Sequence, residues 1–150
     1  MKPTPADKRI EDNMQPGSIS AEGFLGQDTR SLADIIRADQ MAVSKLGLSH
    51  QQIADRLREL TDLGKKGLGS PIEHEGLLIA VDDYRGMIPC PFQDRISHDK
   101  RLTTCTSQKD GLSIRWSDLN VHMIEAHGFY EGLGSPFRVD PQTIAELLFT

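Results

Sequence analysis

The hydrophobic pattern of the chain changes its period near Gly76, and this change limits the folds that are open to it. Before this residue, apolar side chains recur every three or four positions, as they do on one face of an α-helix. After it, short apolar runs and strict alternation indicate β-strands, and a helical pattern then returns. Helices and hairpins segregated in this way predict an α+β fold with an antiparallel sheet, and not a parallel sheet built from βαβ units.

Polar capping residues mark the start of the first two predicted helices. Ser31 and Ser49 each stand before an amphipathic pattern, and the two patterns together fill residues 31–64. Asp34 and Gln52 follow three residues later, at the position of a capping-box partner. The link between the two patterns is short, so the sequence predicts an N-terminal helical hairpin.

Antiparallel β-hairpins are predicted after Gly76. Their four strands lie at residues 77–81, 87–88, 101–106 and 112–116. Asp83 and Gly86 have the chemistry of the first and last residues of a type I turn, which predicts that the first hairpin reverses there. Asp110 and Gly111 suit the tight turn of a second hairpin.

Two more helices are predicted in the β/α part of the chain, residues 76–150. Ser117 is a candidate N-cap for the first, which ends at Gly128, so the second hairpin and this helix form a ββα-like unit. Asp140 before Pro141 predicts a short C-terminal helix, because proline is favoured at the first helical position.

Length and composition indicate one domain with a segment outside its core. The chain has 150 residues, of which 37% are hydrophobic and only 5% are aromatic. Residues 1–22 combine prolines, glycine and charges, a composition that does not offset the entropy of ordering. We therefore expect a flexible tail over residues 1–22 and a single α+β domain over residues 23–150.

Charge and hydropathy narrow the choice of partner. The formal net charge is −5 with both signs mixed, so nucleic acid is not the expected partner. The longest apolar run, residues 77–81, is far too short to span a membrane, and the first residues lack the apolar stretch of a secretory signal. A cytoplasmic protein that binds another protein is the expectation, and its oligomeric state stays open.

Cysteine and histidine side chains form the sharpest candidate site. The residues are Cys90, Cys105, His122 and His127, with His98 as a substitute ligand. Two thiolates and two imidazoles suit tetrahedral zinc. The alternative is that both cysteines are ordinary buried thiols, and that the histidines of the predicted helix are a polar surface residue and a C-terminal cap.

The helix around His122 resembles the second half of a Cys2His2 zinc finger over residues 119–127. In that family a core leucine precedes two metal-binding histidines, and here Leu119 precedes His122 and His127. A step of five residues turns an ideal helix by about 140°, so the helix end before Gly128 must tighten or unwind for both rings to reach one ion. The resemblance implies a structural zinc that would pin the second hairpin against this helix. The cysteines depart from the pattern, since they are not close together on a β-knuckle.

Two other functions remain open. A metal-dependent hydrolase would use the same ligands with water in one coordination position. The sequence has no H-E-x-x-H motif and no nucleophile signature, so catalysis is not the expected activity. A helix-turn-helix regulator of DNA is suggested by Ser49, Ile53, Ala54 and Leu57, but the predicted helix continues past them with little net positive charge.

A glycine-framed loop after the third helix carries Phe129 and Tyr130. Aromatic side chains in such a loop can anchor a protein partner, so these two are the candidate partner-binding residues. The alternative is that both rings fold back over the helix end, because a chain poor in aromatic residues needs them in its core.

Overall fold

The computed structural model describes residues 4–149, which form five helices and a four-stranded antiparallel sheet. The helices are α1 (Pro5–Asn13), α2 (Leu32–Lys45), α3 (His50–Lys65), α4 (Asp118–His127) and α5 (Pro141–Leu148). The strands are β1 (Ile72–His74), β2 (Leu77–Pro89), β3 (Ser97–Ser107) and β4 (Ser113–Ser117), and they pair in the order β1-β2-β3-β4. The predicted α+β class, with N-terminal helices and a short C-terminal helix, is confirmed.

The predicted N-caps are also confirmed. Ser31, Ser49, Ser117 and Asp140 each accept a hydrogen bond from the backbone amide three residues further along. Helix α2 packs on α5, while α3 packs on α4 and β2. Helix α3 is continuous from His50 to Lys65, so it lacks the turn after Ala54 that a helix-turn-helix needs.

The predicted turn at residues 83–86 is wrong. Strand β2 runs through these residues to Pro89 and pairs with β3 on both sides of them, with a β-bulge between Tyr84 and Met87. Gly86 has a φ of 99° there, a conformation that glycine adopts readily and that the bulge requires. The chain reverses later, in the loop of residues 90–96. The second hairpin, β3 with β4, is confirmed.

The N-terminal segment differs from the expected flexible tail. Pro5 occupies the first turn of α1, and Thr4 closes a capping box with Asp7, so the proline and the charges of this segment begin a helix. Met14 after α1 is fully buried, and the Asn13 side-chain amide donates to the carbonyl of Pro91 at 3.1 Å. Residues 1–3 lie outside the described part of the chain.

Two hydrophobic clusters place the two cysteines in different parts of the fold. The larger cluster lies between α3, α4 and the sheet and contains Cys105 and Trp116, whose indole N–H donates to the Thr61 hydroxyl at 2.9 Å. The second cluster contains Cys90 together with Met14 and other residues of the N-terminal segment. The surroundings of Cys90 are therefore built from sequence-distant parts of the chain.

Glu131 is a buried carboxyl group, with 2% of its surface exposed. The side-chain amide of Asn120 donates to it at 2.6 Å and the hydroxyl of Ser135 at 2.7 Å. Burial raises the pKa of Glu131 to about 7, although these hydrogen bonds and the charge of Arg138 oppose the shift. The folded state therefore keeps a proton that the unfolded state releases near pH 4.5, the ordinary pKa of the group.

Glu131→Gln should remove one pH-dependent contribution to stability, which the native protein loses between pH 4.5 and pH 7. Over this interval the Glu131 carboxyl group holds a proton in the folded state that it has released in the unfolded state, so its contribution to stability falls with rising pH, by roughly 1.4 kcal/mol per unit at the steepest. Urea unfolding at pH 5, 6, 7 and 8 measures the slope. Exposed Glu73 gives the matched control, since Glu73→Gln should keep the native slope. Equal slopes for native protein and Glu131→Gln would refute the assignment.

Candidate metal centre

The loop of residues 90–96, which joins β2 to β3, has a fixed backbone. The amide of Cys90 donates to the carbonyl of Ile96 at 2.9 Å, and the amide of Ile96 donates to Oδ1 of Asp94 at 3.0 Å. Gln93 and Arg95, on either side of Asp94, both have a φ of 63°. Two non-glycine residues in this region cost free energy, and such strain concentrates at functional sites. The loop holds Oδ1 by a backbone bond and leaves Oδ2 of Asp94 for other partners.

Helix α4 supplies two imidazoles that meet at this free oxygen. Nε2 of His122 lies 2.6 Å from Oδ2 of Asp94, and Nε2 of His127 lies 2.8 Å from the same atom. The helix ends at Gly128, whose φ of 64° is left-handed. The five-residue spacing therefore does allow both rings to reach one point at the end of the helix.

Cys90, Asp94, His122 and His127 form a compact group of metal-ligand atoms. One atom from each residue, a sulfur, a carboxylate oxygen and two ring nitrogens, lies within 4.8 Å of all the others. Cys90 is buried and the other three are half-buried. This group could hold a metal ion.

The electrostatics of the group follow from its burial and its hydrogen bonds. Burial raises the pKa of the Cys90 thiol to about 12, against a hydrogen bond from the backbone amide of Phe92. Burial also acts to raise the pKa of Asp94, but hydrogen bonds from His127 and His122 outweigh it and hold that pKa well below its usual range. The pair of imidazoles thus stabilises a charged carboxylate at the centre of the group.

The structure does not bring Cys105 into this group. Its thiol is fully buried in the larger cluster, on β3 between Ile79 of β2 and Ile114 of β4, and burial raises its pKa to about 11. Asp94 occupies the place that we expected Cys105 to take. The sequence signal for Asp94 is its short spacing from Cys90, and a prediction restricted to cysteine and histidine ligands does not include it.

His98, the substitute ligand of the sequence analysis, lies beside the group. Its ring centroid is 4.8 Å from that of His122, and its Nε2 is buried without a hydrogen-bond partner. Both rings line a cavity of about 460 Å³ that also contacts Asp118 and Glu125. His98 is thus a neighbour of the group and not a member of it.

The aromatic residues after α4 are buried, so they do not offer a partner an exposed ring. Phe129 and Tyr130 are both 0% exposed, which corrects the partner-binding prediction in favour of its core alternative. The Tyr130 hydroxyl lies 2.7 Å from Nδ1 of His50. Phe92 stacks on the ring of His127, with centroids 4.0 Å apart, and meets Phe129 edge-on. The ring of His127 is therefore held by Phe92, which is itself supported by Phe129.

Within residues 4–149, no helix is both long enough and apolar enough to cross a membrane. Comparison of the chain with protein-family models, with curated proteins and with solved structures returned no match. Function is therefore inferred from the geometry of the group itself.

Proposed function

We propose that this protein binds one zinc ion through Cys90, Asp94, His122 and His127, and that the ion is structural. The observation that carries the proposal is the convergence of four ligand atoms within 4.8 Å from two elements, the loop of residues 90–96 and the end of α4. One thiolate, one carboxylate and two imidazoles are ligands that zinc accepts in tetrahedral sites.

Charge balance supports a divalent ion in this group. A thiolate from Cys90 and a carboxylate from Asp94 supply two negative charges, and two neutral imidazoles supply none. A dication would make the half-buried site neutral overall, which removes the cost of leaving a net charge away from water. The ion would also draw the proton from the Cys90 thiol, because a coordinating thiol is deprotonated.

Four protein ligands fill a tetrahedral shell, so we propose that the protein acts through binding and not through catalysis. The ion would tie the reversal of the β2–β3 hairpin to α4, and through Pro91 to α1. Its binding free energy would then stabilise all three elements.

A metal-dependent hydrolase is the second candidate, and one observation favours it. The cavity of about 460 Å³ beside His122 reaches the edge of the group, and it is also lined by His98, whose buried Nε2 has no hydrogen-bond partner. Catalysis would require water to replace one of the four ligands, which leaves three protein ligands and an open position.

Metal content by elemental analysis, on protein purified without chelator, tests the ligand set. We expect close to one zinc per chain in the native protein and in Cys105→Ala, and almost none in Cys90→Ser or Asp94→Asn. The comparison of the two cysteines separates a site centred on Asp94 from the set expected from the sequence. Circular dichroism of each variant shows that it is folded.

Different outcomes would change the proposal in different ways. No metal in native protein after incubation with zinc would sink it. Loss of zinc in Cys105→Ala but not in Asp94→Asn would mean that Cys105, and not Asp94, is the fourth ligand. The hydrolase would be favoured by two results together. A variant that lacks one of the four ligands would retain zinc, and spectroscopy of the cobalt-substituted native protein would detect a metal-bound water.

A further inference from the structure

A second cavity, of about 520 Å³, lies on another part of the molecule, and none of the four proposed metal ligands lines it. It opens between residues 19–24, the outer half of the β2–β3 hairpin, the start of α4 and residues 131–137. Its apolar wall is formed by Ile19, Phe24, Tyr84, Ile88, Leu102 and Phe137. This volume is within the range of small-molecule sites, and so is a mostly apolar wall with a few polar groups.

The charged residues on this wall are not equivalent. Arg101 is neutralised by Asp83 at 2.7 Å and by Asp118 at 2.8 Å. The oxygens of Glu131 are engaged by Asn120 and Ser135. Neither residue therefore offers the cavity a free charge.

Lys100 and Arg115 are different, because within residues 4–149 neither forms an ion pair. Arg115 lies over the ring of Phe137 at 4.6 Å and donates from Nη2 to the carbonyl of Pro136 at 3.1 Å. That contact fixes the guanidinium and leaves other N–H groups available. Two cations without counter-charge therefore stand at the wall of an apolar cavity.

We propose that this cavity binds an anionic amphiphile, a small molecule with one carboxylate or similar headgroup and an apolar body. Lys100 and Arg115 hold the headgroup, and the apolar wall takes the body. Arg115 can form a forked pair with a carboxylate, and Lys100 adds a point charge. A polyanion such as nucleic acid does not fit, because two cations on a chain of net charge −5 neutralise too few phosphates.

The test is fluorescence titration of the purified 150-residue protein with dansyl-labelled undecanoic acid below its micelle concentration. We expect saturable binding at one site per chain, with displacement by unlabelled dodecanoate and much weaker displacement by its methyl ester. Arg115→Gln and Lys100→Gln should each weaken binding by about tenfold, since each removes a charge-assisted contact. Arg115→Lys should recover only part of the affinity, because lysine keeps the positive charge but cannot form the forked pair.

Lys109 provides the matched control, because it is an exposed cation outside the cavity wall and Lys109→Gln should bind like the native protein. Absence of saturable binding would overturn the proposal, and so would equal displacement by acid and ester. Unchanged affinity in the double variant Lys100→Gln/Arg115→Gln, folded by circular dichroism, would place the binding elsewhere and overturn it too. Zinc content of the same samples is independent of these outcomes.

Discussion

Removal of the proposed zinc ion should lower the melting temperature of the protein by roughly 8–16 °C. A ligand that binds only the folded state at a free concentration of about 1,000 times its Kd adds roughly 4 kcal/mol, and each kcal/mol shifts the melting temperature by roughly 2–4 °C at this chain length. The unfolded chain separates Asp94 from His122 and His127, so it binds the ion poorly. Calorimetric melting with and without a zinc chelator measures the shift.

Two variants make this prediction specific to the proposed ligands. Cys90→Ser should melt at one temperature whether or not chelator is present, because it holds no zinc to lose. Cys105→Ala should start from a lower stability, since it leaves a cavity in the core, and should still show the full chelator shift. If the chelator removed zinc from the native protein without changing its melting temperature, the ion would add nothing to the stability of the fold.

Local signals in the sequence were sufficient to predict helices α2 to α5 and one hairpin. Ser31, Ser49 and Ser117 each satisfy a backbone amide in the first turn of a helix, so their effect extends over only a few residues and can be predicted without the fold. The β3–β4 hairpin, closed around Asp110 and Gly111, is equally local. These elements were predicted correctly because their cause lies within a few residues.

The features that were missed depend on partners far away in the sequence. Residues 83–86 form a bulge within β2, and not a turn, because β3 pairs with β2 on both sides of them. Helix α1 is held by the Asn13 contact to Pro91 and by the burial of Met14, neither of which the composition of residues 1–22 reveals. Tertiary packing in these cases outweighs local preference.

Three of the four ligands of the candidate site could be predicted from the sequence, and the fourth depends on the tertiary structure. His122 and His127 lie on one helix, and Cys90 is a ligand type in a proline-flanked loop, so these three were found by residue type. Residue type also pointed to Cys105, with His98 as its substitute, and only the tertiary structure shows that Cys105 is buried in the core between β2 and β4. Asp94 could not be separated from other acidic residues until the loop geometry showed its Oδ2 between the two imidazoles.

Asp39→Ala should destabilise the fold by roughly 3–5 kcal/mol, the loss expected when one partner of a buried ion pair is removed. The two oxygens of Asp39 accept from Nη1 and Nη2 of Arg138 at 2.9 and 2.8 Å, and the two side chains are only 7% and 12% exposed. The pair joins α2 to the segment before α5, and the variant leaves a buried guanidinium without its main counter-charge. Urea unfolding measures the loss.

Asp55→Ala is the control, because Asp55 pairs with Arg58 at the surface. Its removal should lower the free energy of unfolding by less than about 1 kcal/mol. Similar losses in the two variants would show that the Asp39 pair contributes no more than a surface contact.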